Sequence, residues 1–328
     1  MAFSRHFVVL NILQLILVPI AFNLCNAQGL KHGFYRKTCP KVEAIVRKKT
    51  GEYISKAPTL AAPLLRMHFH DCVVRGCDGS VLLNSTKNNK AERDALPNQS
   101  LRGFQVINGV KSALEDKCPG VVSCADILAL VARDVVTMIK GPYWKVPLGR
   151  RDGRVSSMDE ALNLLPPPSA NISSLRQLFA SLGLNAIDLV VLSGGHTIGT
   201  AHCFSFTDRM YNFTGKGDTD PTMDPNYIAH LKQRCSPTDV TTIVEMDPGS
   251  FRTFDEKYYT LVAKRRGLFQ SDAALLDDID TKSYVKLQAL THGSTFFKDF
   301  GKSMVKMGKI GVLTGNAGEI RKRCDFVN

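Results

Sequence analysis

The chain has 328 residues, of which 44% are hydrophobic and 22% are charged, a composition typical of a globular protein with a sizeable buried core. It excludes a disordered chain, and the lack of a repeat period or low-complexity tract excludes solenoid and fibrous proteins. The net charge of +12 leaves three classes of anionic partner: nucleic acid, an anionic membrane and an acidic extracellular matrix.

The N-terminal segment decides between these partners. Arg5 precedes an apolar run over residues 7–22, and small residues follow up to Ala27, which is the pattern of a secretory signal peptide. A transmembrane helix is the alternative, but the run is shorter than the ~20 residues that a bilayer requires. Cleavage after Ala27 leaves residues 28–328 with a net charge of +11, because Arg5 is lost. We therefore expect a secreted protein with no membrane insertion and, because of its compartment, no nucleic-acid partner.

The cysteine count agrees with this cleavage. Loss of Cys25 leaves eight cysteines, an even number that predicts disulfides in an oxidising compartment. Spacing leaves the connectivity open, although Cys72 and Cys77 are close enough to close a small loop. A zinc site is disfavoured because the chain has no CxxC pair. Four Asn-x-Ser/Thr sequons are typical of a secreted glycoprotein, at Asn84, Asn98, Asn171 and Asn212.

The dominant hydrophobic period of the mature chain is helical. Apolar residues three and four apart predict helices over 42–56, 60–70, 104–117, 124–139, 174–182, 187–192, 254–265 and 295–307. Ser173 is the predicted N-cap of one helix and Gly183 its end, while Gly267 and Gly308 follow basic last turns. We expect a mainly α fold. The Pro-rich loop at 165–169 predicts a seam between two halves, where a ligand pocket would lie.

The first group of residues with chemical potential is Arg66-Met-His-Phe-His-Asp-Cys72. On a helix, Arg66 and His70 lie four residues apart, so a permanent cation and a group that titrates near neutrality share one face. His68 points well away from His70, which disfavours a two-histidine metal site. The alternative is a surface ion-binding face with one buried core histidine.

A second histidine lies in Leu192-Ser-Gly-Gly-His-Thr-Ile-Gly199, where the glycines allow close approach of backbone or a flat ligand. A structural histidine is the alternative for His196 taken alone. The pair of motifs, one in each half of a helical framework, favours a planar cofactor held between the halves.

These motifs carry a resemblance that covers residues 28–328: the chain is similar to the plant secretory, or class III, haem peroxidases. The further matching runs are Gly76-Cys-Asp-Gly-Ser80, Val122-Ser-Cys-Ala-Asp126, Pro147-Leu-Gly-Arg-Arg-Asp152, Asp208-Arg-Met-Tyr-Asn-Phe213 and Gly267-Leu-Phe-Gln-Ser-Asp272. The resemblance implies a two-lobed helical fold with one haem b between a distal half (about 28–165) and a proximal half (about 166–328). It also implies four disulfides, Cys39–Cys118, Cys72–Cys77, Cys124–Cys324 and Cys203–Cys235.

The resemblance gives the distal residues their expected roles. Cleavage of the peroxide O–O bond needs a group that removes a proton and returns it, and a positive charge nearby. His70 is the expected acid–base group, and Arg66 the cation. Asn98 matches the family residue that holds the His70 ring, and Glu92 the residue that orients Asn98. Such a buried Asn98 would carry no glycan despite its sequon.

On the other haem face, the resemblance implies that His196 is the axial iron ligand and that Asp272 accepts its second ring proton. A helix cap is the alternative for Asp272. Phe69 occupies a position that is Trp in other peroxidase classes, so we expect the second oxidising equivalent on the porphyrin. Met246 stands where many family members have Phe. The sequence therefore leaves the redox potential of the iron undetermined.

Two oxygen-rich groups match the two Ca²⁺ sites of the family, since each mixes carboxylate, hydroxyl and backbone oxygens. Solvated acidic loops are the alternative. The first site comprises Asp71, Asp78 and Ser80 with the carbonyls of Val74 and Gly76; the second comprises Thr197, Asp247, Ser250 and Asp255 with the carbonyl of Thr253.

The expected function is reduction of hydrogen peroxide with one-electron oxidation of small phenolic donors. Pro166 matches a residue whose carbonyl binds such donors, although it could instead only stiffen its loop. We expect a monomer in the cell wall or apoplast, where the positive charge suits a polyanionic polysaccharide. A non-catalytic, wall-binding glycoprotein is the competing hypothesis, and retention of the catalytic set argues against it: Arg66, His70, Asn98, His196 and Asp272.

Overall fold

The computed structural model describes residues 29–328, so the predicted signal peptide and its cleavage after Ala27 lie outside the described residues. The described chain is mainly helical, as predicted. Its helices are α1 (Val42–Ile54), α2 (Ala61–Val74), α3 (Phe104–Glu115), α4 (Cys124–Met138), α5 (Met158–Leu164), α6 (Ile172–Ser181), α7 (Ala186–Ser193), α8 (Thr207–Tyr211), α9 (Pro225–Lys232), α10 (Lys257–Ala263), α11 (Gln270–Ala273), α12 (Ile279–Thr291) and α13 (Phe296–Met307). Strands β1 (Thr200–His202) and β2 (Ile243–Glu245) pair antiparallel, with Ala201 opposite Val244.

Helix α4 lies at the centre of the N-terminal half and packs against α1, α2 and α3. Residues 124–136 of α4 are all buried, as expected for a helix that is apolar on nearly every side. It begins where the Ser123 side chain accepts a hydrogen bond from the backbone N–H of Asp126 at 3.1 Å. This rigid support positions α2, which carries Arg66 and His70.

A second core lies beneath the two-stranded sheet. It joins the sheet to α8 and α9 through buried residues that include Phe206, Met210, Leu231 and Met246. The disulfide Cys203–Cys235 lies within this core. Residues 200–235 are thereby tied together next to the segment that carries His196.

Four disulfides join Cys39 with Cys118, Cys72 with Cys77, Cys124 with Cys324, and Cys203 with Cys235. These are the pairs that the resemblance implied. The longest-range bond ties the start of α4 to the C-terminal segment, 200 residues later. Covalent closure of such long loops restricts the unfolded chain and stabilises the fold.

Three predicted helices have wrong boundaries, and the one predicted over 60–70 continues to Val74. Helix α6 begins earlier than expected because Asn171, not Ser173, is its N-cap: Asn171 Oδ1 accepts the N–H of Ser174 at 2.9 Å. The helix predicted over 254–265 is only Lys257–Ala263. Asp255 Oδ1 takes the N–H of Lys257 at 3.0 Å, and Arg265 (φ 61°) leaves the helix before Gly267 is reached.

Helices α5, α8, α9, α11 and α12 were not predicted, and two of them show why. Helix α9 has a clear start signal, an Asp224 cap followed by Pro225 at the first position, but only two turns of apolar pattern. Helix α12 leaves Ile279 and Leu290 exposed, so its apolar residues do not mark one face. Hydrophobic periodicity therefore fails to predict either helix.

No single helix within residues 29–328 is long and apolar enough to cross a membrane. The pair Ile172–Ser181 and Ala186–Thr197 has sufficient combined length and apolar character, but it is bent by 108°.

Candidate active site

Helix α2 brings Arg66 and His70 together, as their spacing predicts. Arg66 Nε donates to His70 Nε2 at 3.1 Å across one helical turn. The His70 side chain is buried, with 6% of the residue exposed. Burial, followed by the positive charge of Arg66, holds the pKa of His70 well below its ordinary value. The ring is therefore neutral at the pH of most aqueous compartments.

Asn98 fixes the tautomer of this neutral ring. Its Oδ1 lies 2.5 Å from His70 Nδ1, and because an amide oxygen only accepts, the ring proton is on Nδ1. Asn98 Nδ2 donates to the backbone carbonyl of Glu92 at 2.7 Å, which sets the orientation of the amide. Glu92 thus contacts Asn98 through its main chain rather than its carboxylate. His70 Nε2 is left as a lone-pair acceptor.

Arg66 has two further partners that sequence reasoning missed. Its Nη1 donates to Ser100 Oγ at 2.8 Å, and its Nη2 donates to the carbonyl of Pro97 at 2.5 Å. Burial lowers the pKa of Arg66 to about 10, which still leaves the guanidinium charged at neutral pH. The only sequence signal near these partners is the sequon that begins at Asn98.

His68 takes no part in this arrangement, as predicted. It is 2% exposed and lies beside the disulfide sulfur of Cys72, 3.7 Å from its Nδ1. Burial lowers its pKa to about 3. Phe69, the intervening residue, lies partly buried with its ring centroid 6.0 Å from that of His70.

The second histidine is held by a buried carboxylate. His196 Nδ1 donates to Asp272 Oδ1 at 2.7 Å. Burial by itself would raise the pKa of Asp272, but the close contact and hydrogen bond with His196 hold it below its usual value. The His196 side chain is 41% exposed while that of Asp272 is 1% exposed. The ring edge that bears Nε2 is therefore accessible.

Asp272 fulfils both roles that the sequence offered for it. Its Oδ2 accepts the backbone N–H of Phe269 at 2.9 Å, as an early residue of α11 would, while Oδ1 faces His196. Tyr258, which the sequence did not single out, donates its hydroxyl to the same Oδ1 at 2.8 Å. Each oxygen of this carboxylate is thus bonded.

Glycines bring the His196 segment close to α2. A Cβ at Gly199 (φ 97°) would lie 2.8 Å from the Cβ of Ala62, and one at Gly195 would lie 3.6 Å from Leu65. The rings of Phe269 and Tyr258 flank His196 edge-on at 5.5 and 6.1 Å. Met246 is buried, and its N–H donates to the carbonyl of Gly199 at 3.0 Å. An imidazole with its Nδ1 bonded and its Nε2 accessible is a donor set that fits an axial haem ligand.

The first oxygen-rich group is buried and electrostatically unfavourable on its own. Burial and the neighbouring Asp78 raise the pKa of Asp71 well above its ordinary value, and burial raises that of Asp78 to about 6. Burial raises the pKa of Glu92 to about 8, although the nearby Ser80 lowers it in part. Within the described chain, neither the Ser80 hydroxyl nor the Glu92 carboxylate has a well-aligned hydrogen-bond partner. Such a surplus of buried oxygens fits a divalent cation.

The carbonyl donors of this first group follow from the local backbone. Val74 ends α2, and Gly76 (φ 93°) follows in a left-handed conformation, where a Cβ would lie 2.6 Å from the backbone of Gly311.

The second oxygen-rich group directly follows His196 along the chain. Thr197 Oγ1 lies 3.1 Å from Asp255 Oδ1 and 3.5 Å from Asp247 Oδ2.

The remaining members of the second group lie on the same loop. Ser250 bonds to Asp255, and Thr253 N–H donates to the Ser250 carbonyl at 2.8 Å. Burial, followed by the charge of Asp255, raises the pKa of Asp247 to about 7. This donor set, too, fits a hard cation.

Comparison with known proteins decides the family. The peroxidase family model matches residues 46–290, which include every distal and proximal residue described above. The chain belongs to the peroxidase family. It is 61% identical to peroxidase 27 of Arabidopsis thaliana over the full length of both chains. It is also 61% identical to peroxidase 56 of Arabidopsis thaliana, over 94% of this chain and 93% of that one, and 58% identical to peroxidase 1 of Oryza sativa subsp. japonica, over 97% and 98%.

The peroxidase is thus a class III plant haem peroxidase, as the resemblance indicated. It reduces hydrogen peroxide and oxidises a reducing substrate, and haem is its cofactor. The competing hypothesis of a non-catalytic glycoprotein is not needed to account for any residue of the site.

Proposed function

We propose that this peroxidase holds one haem b between His70 and His196, with phenols as its electron donors. The observation that carries the proposal is that both histidines are anchored through Nδ1 by a side-chain oxygen, Asn98 for one and Asp272 for the other. Each ring therefore has its proton on Nδ1 and its lone pair on Nε2, that of His70 accepting from Arg66 Nε at 3.1 Å, and the two anchors differ in charge. When bound, the haem supplies the redox-active iron at which peroxide is reduced.

The distal residues supply the proton transfers. His70 Nε2, unprotonated because Asn98 fixes the proton on Nδ1, takes a proton from hydrogen peroxide and returns it to the departing oxygen, which leaves as water. Arg66, 3.1 Å away, stabilises the negative charge that develops between these transfers. The low pKa of His70 keeps the ring competent as a base.

The proximal residues control electron donation to the iron. His196 would hold the haem iron through Nε2, and the carboxylate of Asp272 draws its Nδ1 proton, which would give the imidazole imidazolate character. This character favours the oxidised forms of the enzyme.

We further propose two Ca²⁺ ions. Asp71, Asp78 and Ser80 hold the first, with the carbonyls of Val74 and Gly76. Thr197, Asp247, Ser250 and Asp255 hold the second, with the carbonyl of Thr253. Raised carboxyl pKa values in both groups support the proposal, because a divalent cation relieves the repulsion that raises them.

Phenolic donors meet the site near Pro166, at the boundary between the distal and proximal halves. Within residues 29–328, the carbonyls of Pro167 and Pro168 accept backbone hydrogen bonds and that of Pro166 accepts none, which supports a role as acceptor for a phenol. The enzyme is proposed to be a secreted monomer of the cell wall or apoplast, whose positive charge retains it on a polyanionic polysaccharide.

An absorbance experiment tests the function. We expect purified protein to show a haem Soret band that shifts on addition of peroxide and returns to its starting position when a phenol is added. A protein reconstituted with haem that gives no peroxide-dependent shift would contradict the proposal. Thermal unfolding of the same sample shows whether such a failure reflects misfolding.

A further inference from the structure

The net positive charge of the peroxidase is concentrated on two short parts of the chain. Residues 31–56 contain eight Lys or Arg and only two acids, Glu43 and Glu52. This segment alone accounts for six of the eleven net positive charges expected after removal of the signal peptide. The other five lie within residues 302–323, where Lys302, Lys306 and Arg323 are paired with acids. Residues 31–56 therefore define the candidate interaction surface.

Helix α1 and the residues that flank it display these charges outward. Its buried stripe is Val42, Val46, Thr50 and Ile54, four residues apart, and this stripe packs toward α3 and α4. The opposite side is solvent-exposed and basic. We call this surface the α1 basic face: Arg36, Lys37, Lys41, Arg47, Lys48 and Lys56, all exposed.

Within residues 29–328, the cations of the α1 basic face form no ion pair, although Lys48 and Lys56 lie close enough to Glu52 to help lower its pKa. The two acids of the segment are already engaged, Glu43 with Arg133 at 2.7 Å and Glu52 with Lys49 at 2.8 Å. Within residues 29–328, none of the six cations of the face lies within 4.0 Å of a carboxylate oxygen. Their field is therefore directed into solvent, where it attracts an extended polyanion.

The location of the face leaves the catalytic residues accessible. Helix α1 packs against α3 and α4, whereas Arg66 and His70 lie on α2. A polymer bound along α1 would hold the enzyme without covering the distal site.

We propose that the α1 basic face binds a linear polyuronate, a polysaccharide with a carboxylate on each sugar. Lys41 and Lys48 are seven residues apart, which places their backbones about 10 Å apart along one side of the helix. The carboxylates of a flexible polysaccharide can pair with such a row of cations without a shaped binding pocket. This inference rests on the proposed retention by a polyanionic polysaccharide and assigns it to one surface.

The test compares two triple variants of equal charge on immobilised, de-esterified polygalacturonate. Lys41→Gln, Arg47→Gln and Lys48→Gln remove the centre of the α1 basic face. Lys286→Gln, Lys298→Gln and Lys309→Gln remove three exposed cations elsewhere. We expect the first set to weaken binding roughly tenfold, since it removes three exposed charge interactions, and the second to weaken it much less.

Equal weakening by both sets would overturn the proposal in favour of net charge alone. Retention of the wild-type enzyme on fully methyl-esterified polymer would overturn the requirement for carboxylates. Turnover of peroxide with a small soluble phenol is measured on all three proteins, and we expect it to be unchanged. A protein that loses polymer binding but keeps full turnover bears on this proposal alone. A protein that binds the polymer but lacks turnover bears on the proposed enzymatic function alone.

A second inference concerns the tripeptide Asn98-Gln99-Ser100, which reads as a glycosylation sequon. Asn98 holds His70, and Ser100 Oγ accepts a hydrogen bond from Arg66 at 2.8 Å while lying 3.4 Å from the Pro97 carbonyl. Arg66 has no acidic partner within 4.0 Å in the described chain, so these neutral groups alone direct its guanidinium toward His70.

We propose that Ser100 is a positioning residue for Arg66, so that one tripeptide fixes both members of the distal pair. Ser100→Ala should slow the reaction with peroxide about tenfold, the effect of losing one hydrogen bond to a charged group. Ser100→Thr keeps the hydroxyl and should restore most of the rate. Gln99→Ala, on the exposed middle residue, is the matched control and should have no effect.

A binding measurement distinguishes positioning from a general structural role. Fluoride binding to the ferric enzyme reports the stabilisation of an anion in the distal pocket, and we expect Ser100→Ala to weaken it by a similar factor. Unchanged fluoride affinity together with an unchanged peroxide rate would overturn the proposal. So would an equal loss in Gln99→Ala, or a failure of Ser100→Thr to recover.

Discussion

Two histidines with the same anchoring geometry lie in different electrostatic surroundings. Asn98 gives His70 a neutral acceptor, while burial and then the adjacent Arg66 lower its affinity for protons. Asp272 gives His196 a negative acceptor. The first ring is therefore a weak base suited to transient proton transfer, whereas the second is the more electron-rich. These differences match the two proposed roles.

The distal pair leads to a prediction about rate. His70→Leu should slow the reaction with peroxide roughly 10²- to 10⁴-fold, because it removes both proton transfers. Arg66→Leu removes one stabilising charge and should have a smaller effect. Stopped-flow mixing with peroxide measures both rates. A near-native rate for His70→Leu, in protein with full haem content, would refute the acid–base assignment.

The proximal carboxylate leads to a pair of opposite predictions. Asp272→Asn should keep haem bound but weaken donation from His196, which makes the ferric enzyme easier to reduce. Tyr258→Phe removes a hydrogen bond that competes for Asp272 Oδ1, so it should make reduction harder. Loss of one hydrogen bond to a charged group corresponds to about 1.5–3 kcal/mol. Spectroelectrochemistry measures the midpoint potentials, and shifts of the same sign would contradict the model.

Some residues of the site could be predicted from sequence and others could not. Arg66 and His70 follow from helical spacing, and Asn98 and Asp272 follow from a family pattern. Ser100 and Tyr258 act through contacts with side chains far away in sequence, 34 and 14 residues from their partners. Neither residue type signals such a contact, so only the folded structure identifies them.

At the scale of elements, α2 combines three environments on one helix. Arg66 and His70 face the distal site, Asp71 faces an oxygen-rich group, and His68 faces the interior beside a disulfide. The angular spacing of about 100° per residue separates these directions within one and a half turns. The helix must therefore stay regular, and the packing of α4 along it keeps it so.

The buried His68 predicts a pH dependence of stability. Its pKa is about 3 in the folded state and 6.5 in the unfolded chain, so on acidification the unfolded chain takes up a proton first. Stability contributed by this residue is present above about pH 6.5 and is lost as the pH falls toward 3, by up to about 5 kcal/mol. His68→Gln should reduce the difference in melting temperature between about pH 7 and about pH 5. His230→Gln, an exposed control, should leave that difference unchanged.

Some element boundaries were mispredicted for local reasons. Asn171 and Asp255 set the starts of α6 and α10 by accepting backbone N–H groups. Apolar periodicity gives no weight to such polar contacts. The long helices α3 and α4 were predicted within a few residues because their periodic patterns run for three turns or more.

At the scale of the whole molecule, the disulfides stabilise the fold, whereas the proposed second ion stabilises the segment next to His196. The four disulfides close loops of up to 200 residues in sequence separation and restrict the unfolded chain. The second oxygen-rich group is local: it joins the segment after His196 to the loop that contains Asp247 and Asp255. Loss of a cation there should change the site before it changes the fold.

Removal of calcium tests this separation. Thr197 directly follows His196, so an ion bound by Thr197, Asp247, Ser250 and Asp255 restrains the backbone that carries the axial ligand. Without the ion, Asp247 and Asp255 repel each other, and the restraint on His196 weakens. A chelator should shift the Soret band and lower phenol turnover, while far-UV circular dichroism stays largely native because the disulfides remain. Elemental analysis confirms the loss of metal, and added Ca²⁺ should restore both signals. Metal-free protein with a native Soret band and full turnover would mean that these carboxylates belong to solvated acidic loops, and that His196 is held by Asp272 and the surrounding core alone.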